Sequence, residues 1–298
     1  MFTIIAVTGP TASGKTALAI EKALSTDAEI VSFDSRQFYS MMDIGTAKPS
    51  EQELAAVPHH FIGHLPMERD YSVGEYEHDA LECIAGIRSR GRNVVMVGGS
   101  GLYLRAVEQG MDEFPEVPSG VREQVAHLMD EKGMAGMQDM LEKLDPEYYA
   151  RVDRLNPRRL ARALEVCLAS GKPYSSFLGN GRKERPFRTE RINITVPRDE
   201  LYRRIERRVD DMMSRGLLAE VESLLPYREC NSMRSVGYQE FLPYFDGQIS
   251  LEQAVEKVKQ NTRNYAKRQI TWLKRDERTI WISAAGRASS DVAAEIYD

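Results

Sequence analysis

The chain has 298 residues, 42% of them hydrophobic, with a formal net charge of −5, enough for one large or two modest domains around a substantial core. Its three cysteines, Cys83, Cys167 and Cys230, stand far apart with no CxxC pair, which argues against a disulfide-framed secreted module and a thiolate zinc site. No apolar run approaches the ~20 residues of a membrane span, and the N-terminus enters a strand at once rather than a signal peptide, so a cytoplasmic protein with no membrane partner is expected.

The small net charge conceals an uneven distribution. Residues 1–150 hold 12 Lys/Arg against 24 Asp/Glu, residues 151–215 hold 17 against 9, and residues 257–278 hold 8 against 2. An acidic first half joined to a basic middle and a basic C-terminal helix points to a polyanionic partner. The bland alternative is a set of solvated helix faces, since many arginines here alternate with acids.

In chain order, the apolar run Ile4–Val7 predicts a strand. It leads into Gly9-Pro10-Thr11-Ala12-Ser13-Gly14-Lys15-Thr16, which fits the phosphate-loop pattern, and a helical pattern follows at Ala17. Gly9 and Gly14 let the backbone curl so that its N–H groups form an anion nest. The helix starting near Lys15 adds roughly half a positive charge, Lys15 a full one, and the Thr16 hydroxyl can ligate Mg²⁺. A diphosphate or polyphosphate ligand is expected.

Glu29–Phe33 reads as a second strand ending at Asp34, which places a carboxylate beside the loop. There it can hold Mg²⁺ or its waters, or accept a proton; the competing reading is a helix cap. Asn93–Val97 is a third strand, apolar from Val94 onward and so buried in a parallel sheet. It ends in Gly98-Gly99-Ser100 where standard phosphate-loop ATPases place an acid for Mg²⁺, which weakens an ATPase reading.

From Ser119 to about Ser170 only helices are predicted, with Asp145-Pro146 and Asn156-Pro157 as starts and Gly171 as a stop. Arg191–Val196 returns as a strand. Asp199 then caps a helix carrying Arg203, Arg204, Arg207 and Arg208. The last long helix begins at Ser250, with Gln253 completing a capping box. On it Tyr265 and Trp272, seven apart, are expected to face the core, with Lys267 and Arg268 free for phosphates. His59, His60 and His64 share a loop without a fourth ligand at recognisable spacing.

Fold class is therefore α/β: a parallel sheet flanked by helices, like that of phosphate-loop NTPases, with an all-helical insertion. The expected boundaries are 1–112 and 186–298 for the core and 113–185 for the insertion.

The motifs jointly resemble the bacterial tRNA dimethylallyltransferases, also called tRNA isopentenyltransferases. The resemblance rests on residues 9–16, Asp34-Ser35-Arg36-Gln37 with Tyr39, Asp43–Pro49, Pro58-His59-His60, Gly98–Tyr103, Arg159-Leu160 with Arg162–Val166, Gly237-Tyr238, and Thr262-Arg263 with Ala266–Trp272. It implies transfer of a dimethylallyl group from dimethylallyl diphosphate to N6 of the adenosine 3′ of the anticodon, with Mg²⁺ required and diphosphate released. By motif position it implies Asp34 as base, Ser100 where threonine is usual, and Lys15 and Arg204 against the leaving diphosphate. Gly9 to Thr16 would bind the diphosphate and Thr16 the metal. Asp34, Ser35, Arg36, Gln37, Ser100, Arg122, Arg158, Arg159, Leu160, Arg162, Lys267 and Arg268 would contact tRNA, the insertion gripping the anticodon stem-loop of a monomeric enzyme. Rival readings are transfer of the same group to free adenine nucleotides, a phosphate-loop small-molecule kinase, and an RNA-binding module with a nucleotide switch.

Overall fold

The structure, a computed structural model, describes residues 1–179, 183–274 and 279–286. The chain divides into two compact units, Met1–Glu108 with Arg185–Asp298, and Gln109–Glu184.

The first unit is built on six parallel strands: β1 (Phe2–Thr8), β2 (Ala28–Ser32), β3 (His59–His60), β4 (Asn93–Gly98), β5 (Phe187–Thr195) and β6 (Thr279–Ser283), in the spatial order β3-β2-β4-β1-β5-β6. The early helices are α1 (Lys15–Ser25), α2 (Glu51–Ala56), α3 (Val73–Ser89) and α4 (Gly101–Gln109). Successive side chains of a strand face opposite ways, so β1 sends Val7 to one face and Ile4 and Ala6 to the other. Val7, Ile30 and Val95 pack under Leu18, Ala19 and Ala23 of α1. Ile4, Ala6 and Met96 pack under Tyr76, Ala80 and Ile84 of α3 and Leu104 of α4. Both sheet faces are thus covered, as an all-parallel sheet requires.

The helical unit contains α5 (Ser119–Leu144), α6 (Pro146–Arg151) and α7 (Pro157–Ser170). Its core is Val125, Met137, Leu141, Leu160, Ala163 and Leu164. Gly133 breaks α5 with a φ of 60°. Asp145 and Asn156 accept the backbone amides of Tyr148 and Arg159, and Gly171 ends α7 at a φ of 67°. The unit's first residue is Gln109, four positions before the expected start of the insertion.

The chain then re-enters the first unit. Arg185 donates to the Val107 carbonyl at 2.8 Å, the Ala106 carbonyl at 3.0 Å and the Glu77 carboxylate at 2.6 Å. Arg191 donates through Nε to Glu108 at 2.8 Å and pairs with it a second time through Nη2. All four charged side chains are nearly buried. The C-terminal part adds α8 (Arg198–Ser214), α9 (Leu217–Ser223), α10 (Leu242–Phe245) and α11 (Leu251–Leu273) around a separate cluster that includes Val209, Leu217, Met233, Tyr238 and Phe241. Asp199 was expected to cap α8; Pro197 holds that position, and Asp199 lies in the first turn, where its charge still complements the helix dipole. Ser250 and Gln253 form the expected capping box of α11. Among the described residues no helix is long and apolar enough to cross a membrane.

Candidate active site

Three neighbouring parallel strands, β2, β4 and β1, end at the same edge of the sheet, and the turns that follow them build one site. After β1, Ala12 at a φ of 63° and Gly14 at 92° curl the phosphate loop. A left-handed non-glycine residue costs about 1 kcal/mol or more, strain of the kind that persists at functional sites. Gly9 is needed for a different reason: a Cβ there would lie 2.6 Å from the Ser13 hydroxyl.

The loop lines a cavity of ≈ 410 Å³ together with Lys15, Thr16, Asp34, Arg36, Arg208 and Tyr265. Withdrawal from water pushes the Lys15 ammonium down to about 8, helped by the positive Arg208 and Arg36 and opposed by Asp34. Burial also lowers Arg208 to about 10, with Arg36 adding to the effect and Asp34 opposing it. Six cations, Lys15, Arg36, Lys48, Arg204, Arg208 and Arg215, line the cavity against three carboxylates, Asp34, Glu53 and Asp211, which leaves it short of negative charge that an anionic ligand would supply.

Asp34 follows β2 and sits beside the phosphate loop in that cavity. Its carboxylate accepts the Arg36 amide at 3.2 Å. Ser35 donates its amide to the Ser100 hydroxyl at 3.2 Å, and the two hydroxyls are 3.0 Å apart. The turn after β4 is thereby tied to the turn after β2. Gly98 permits this closeness, since a Cβ there would meet Phe33 at 2.6 Å.

Tyr265, read from sequence as core, instead reaches the cavity. It is hydrogen-bonded to Ser100 and is pushed up to about 12, by burial first and then by the Asp34 charge. Trp272 does pack inward, against Gly101, where a Cβ would fall 2.2 Å from the indole.

Arg204 lies on the cavity wall but pairs with Glu200 and donates to the Ala284 carbonyl at 3.2 Å. Arg208, one turn on, donates to the Thr11 hydroxyl at 3.3 Å and shares the fields of Lys15, Asp34 and Arg36. Sequence reasoning passed over Arg208; its four-residue spacing from Arg204 on α8 was the available signal. The Arg36 guanidinium donates to the Gly45 carbonyl at 2.9 Å and to that of Val236, and lies 5.6 Å from the Tyr265 ring centre. Gln37 donates to the Ala47 carbonyl at 2.9 Å.

Of the expected RNA contacts, Arg122, Arg158 and Arg159 are exposed on the helical unit. Arg162 lies 5.4 Å from the Phe114 ring centre and 3.6 Å from Glu165. Leu160 is a correction: it is fully buried in the helical core and has no surface to offer RNA. Lys267 and Arg268 are exposed on α11, over Tyr202 and Tyr265. Arg275 and Arg278 of the basic run lie outside the described residues.

The histidines separate. His59 bonds the Val57 carbonyl at 2.7 Å, His60 meets Glu29 at 2.7 Å, and His64 lies edge-on among Phe38, Phe61 and Tyr71. Among the described residues no group of three His, Cys, Asp or Glu is placed to hold a metal. The side-chain oxygens lining the cavity include the Thr16 hydroxyl and the carboxylates of Asp34, Glu53 and Asp211.

A family model described as IPP transferase matches residues 37–276. A tRNA dimethylallyltransferase of Christiangramia forsetii is 45% identical over 278 residues, 93% of this chain and 92% of the relative. The chain belongs to the tRNA dimethylallyltransferase family. Another member, tRNA dimethylallyltransferase 1 of Bacteroides thetaiotaomicron, is 44% identical over 281 residues, 94% of this chain and 91% of the relative. The fold agrees with solved structures of the family. A full-length tRNA isopentenylpyrophosphate transferase from Bacillus halodurans superposes with a TM-score of 0.75 at 34% identity, covering 100% of this chain and 95% of the other. A eukaryotic dimethylallyltransferase described as acting on tRNA gives a TM-score of 0.84 at 26% identity, covering 100% of this chain and 77% of the other. The matched stretch begins at Gln37, so the phosphate loop and Asp34 of this family member lie outside it.

Proposed function

We propose that the chain is a tRNA dimethylallyltransferase, moving the dimethylallyl group of dimethylallyl diphosphate onto N6 of the adenosine 3′ of the anticodon and releasing diphosphate. The observation that supports this most is a single cavity in which an anion cradle and a carboxylate stand side by side.

The C1–O bond of the allylic diphosphate breaks and its electron pair leaves on the diphosphate. The loop amides, Lys15 and Arg208 absorb that developing charge, which fixed dipoles and cations do at little reorganisation cost. The N6 lone pair bonds to C1, and the N6 proton passes to Asp34. A positioned base is worth about 10² to 10⁴-fold. Ser100, held by Ser35 and Tyr265, would hydrogen-bond the adenine edge.

The Thr16 hydroxyl, with Asp34 lining the same cavity, suits a hard divalent cation that keeps several waters and phosphate oxygens as ligands. Mg²⁺ held there by Thr16 would neutralise further charge on the diphosphate. Arg122, Arg158, Arg159 and Arg162 on the helical unit, with Lys267 and Arg268, would position the anticodon stem-loop through phosphates. The target base leaves its stack, which costs a few kcal/mol. We infer a monomer acting in the cytoplasm.

The test is incubation with labelled dimethylallyl diphosphate, Mg²⁺ and unmodified tRNA. Label in tRNA is expected. Label only in free adenine nucleotides would favour the nearer rival, and ATP turnover without RNA would favour a kinase. Asp34→Ala should bind both substrates and lose most turnover; near-normal turnover would remove it as the base.

A further inference from the structure

The Gln269 side chain is nearly buried, and both ends of its amide are used. Its Oε1 accepts the backbone N–H of Thr11 at 2.8 Å, and its Nε2 donates to the Gly99 carbonyl at 3.0 Å. Thr11 belongs to the phosphate loop; Gly99 immediately precedes Ser100. One side chain of α11 therefore spans the gap between the turn that follows β1 and the turn that follows β4.

Each end of this bridge continues into the chemistry. The hydroxyl of Thr11 accepts Arg208, the arginine facing the phosphate loop. Beyond Gly99, Ser100 is bonded to Ser35, the neighbour of Asp34, and to Tyr265, one turn before Gln269 on the same helix face. The fit at Gly99 is tight: a Cβ there would lie 2.0 Å from the Gln269 Nε2. Because the oxygen faces an N–H and the nitrogen faces a carbonyl, the amide has one satisfied orientation.

We propose that Gln269 is a positioning residue for the transfer, fixing the separation between the leaving-group cradle and the base-side turn. This rests on the prenyl-transfer reading above. The chemical step needs C1 and N6 within bonding reach while the diphosphate stays seated, and a misplacement of about 1 Å can cost about 10²-fold. Neither substrate needs the other loop in order to bind, so a loosened bridge weakens transfer more than either affinity.

The test uses Gln269→Glu, which keeps the acceptor for Thr11 but sets an oxygen against the Gly99 carbonyl, and Gln269→Met, which keeps the length and removes both bonds. Single-turnover transfer to tRNA, separate dissociation constants for dimethylallyl diphosphate and for tRNA, and the melting temperature are measured for each. The expected result is a transfer rate lower by about 10²-fold, with both dissociation constants within about threefold of wild type. Gly99→Ala attacks the same bridge from its other end and should show the same split, which covers the case in which a Gln269 variant fails to fold. The proposal is overturned if the variants transfer at near wild-type rate. It is equally overturned if rate, both affinities and melting temperature fall together, as a purely structural amide would give. A wild-type chain that puts no label into tRNA would overturn the underlying reading, and that result is seen before any variant is made.

Discussion

The Glu220 carboxylate accepts the backbone amide of Ile44 at 2.7 Å across 176 residues of sequence. It also accepts the amides of Asp43 at 3.2 Å and Gly45 at 3.1 Å, and the Tyr238 hydroxyl at 2.6 Å. Gly45 is glycine because a Cβ would lie 2.6 Å from the Tyr238 ring. The loop so held presents carbonyls to Arg36 and Gln37. Burial pushes the Tyr238 phenol up, with the Glu220 charge adding to it, so the phenol stays a donor. Removing the carboxylate strands several donors at about 1–3 kcal/mol for each one that water cannot reach. Glu220→Ala should lower unfolding stability by about 3 kcal/mol in urea titration, and Tyr238→Phe by about 1 kcal/mol. A Glu220→Ala midpoint matching wild type would mean the loop holds itself.

Arg204 and Arg208 should behave unequally. Arg208→Gln removes a cation desolvated beside the phosphate loop, and transfer should fall by about 10²-fold or more. Arg204→Gln removes a cation already occupied with Glu200, and the loss should stay below about tenfold. Arg208→Lys should not restore full rate, because an ammonium lacks the planar fork. Comparable losses at both positions in single-turnover assays would return Arg204 to the central role that its motif position suggests.

Lys15 gives a pH signature. Its pKa is lowered to about 8 in the free protein, and a bound diphosphate would raise it. Below pH 8 the ammonium is already charged and affinity for dimethylallyl diphosphate should be flat. Above it, binding must take up a proton, so the dissociation constant should rise toward about tenfold per pH unit. Lys15→Arg, permanently charged, should flatten that rise. Titration calorimetry at several pH values reads both, and a wild-type constant unchanged from about pH 7 to about pH 9.5 would contradict the assignment.

RNA binding should report its phosphates through salt. Arg158→Ala with Arg159→Ala removes two exposed cations from the start of α7. The log–log salt slope should shrink by about one for each phosphate that is no longer neutralised. Leu160→Ala, by contrast, should cost about 2–5 kcal/mol of stability in the helical unit and leave the slope alone. An unchanged slope in the double variant would place the RNA on another surface.

Much of the core was legible because its signals are local. The runs within β1, β2 and β4 are largely apolar, β5 was read only from Arg191 because Arg188 and Glu190 interrupt its start, and the caps at Asp145, Asn156 and Ser250 act within one turn. What escaped was set by distant partners. β3 has only two residues, both histidine, and is a strand only because β2 pairs with it. β6 leaves Ile280 and Trp281 largely exposed, so its sequence lacks the pattern of a buried strand. Tyr265 was read with Trp272 as a core-facing pair, and Gln269 drew no reading of its own; which polar atoms that part of α11 meets depends on loops far earlier in the chain. Among the five arginines of α8 only the helix phase separates Arg208 from Arg207, and phase alone does not say where the phosphate loop lies. Leu160 was assigned to RNA by the family resemblance at Arg159-Leu160, although its own apolar side chain belonged inside.

Arg185 and Arg191 fasten the returning chain to the residues just before its departure, Ala106, Val107, Glu108 and, across α3, Glu77. Both ends of the 109–184 excursion are therefore anchored at one spot on the sheet's own framework, and helices between them can lengthen, shorten or be exchanged without re-registering a strand. A lineage could remodel the helical unit while the cavity at the phosphate loop stays untouched, and a protein engineer could graft a foreign module at the same socket.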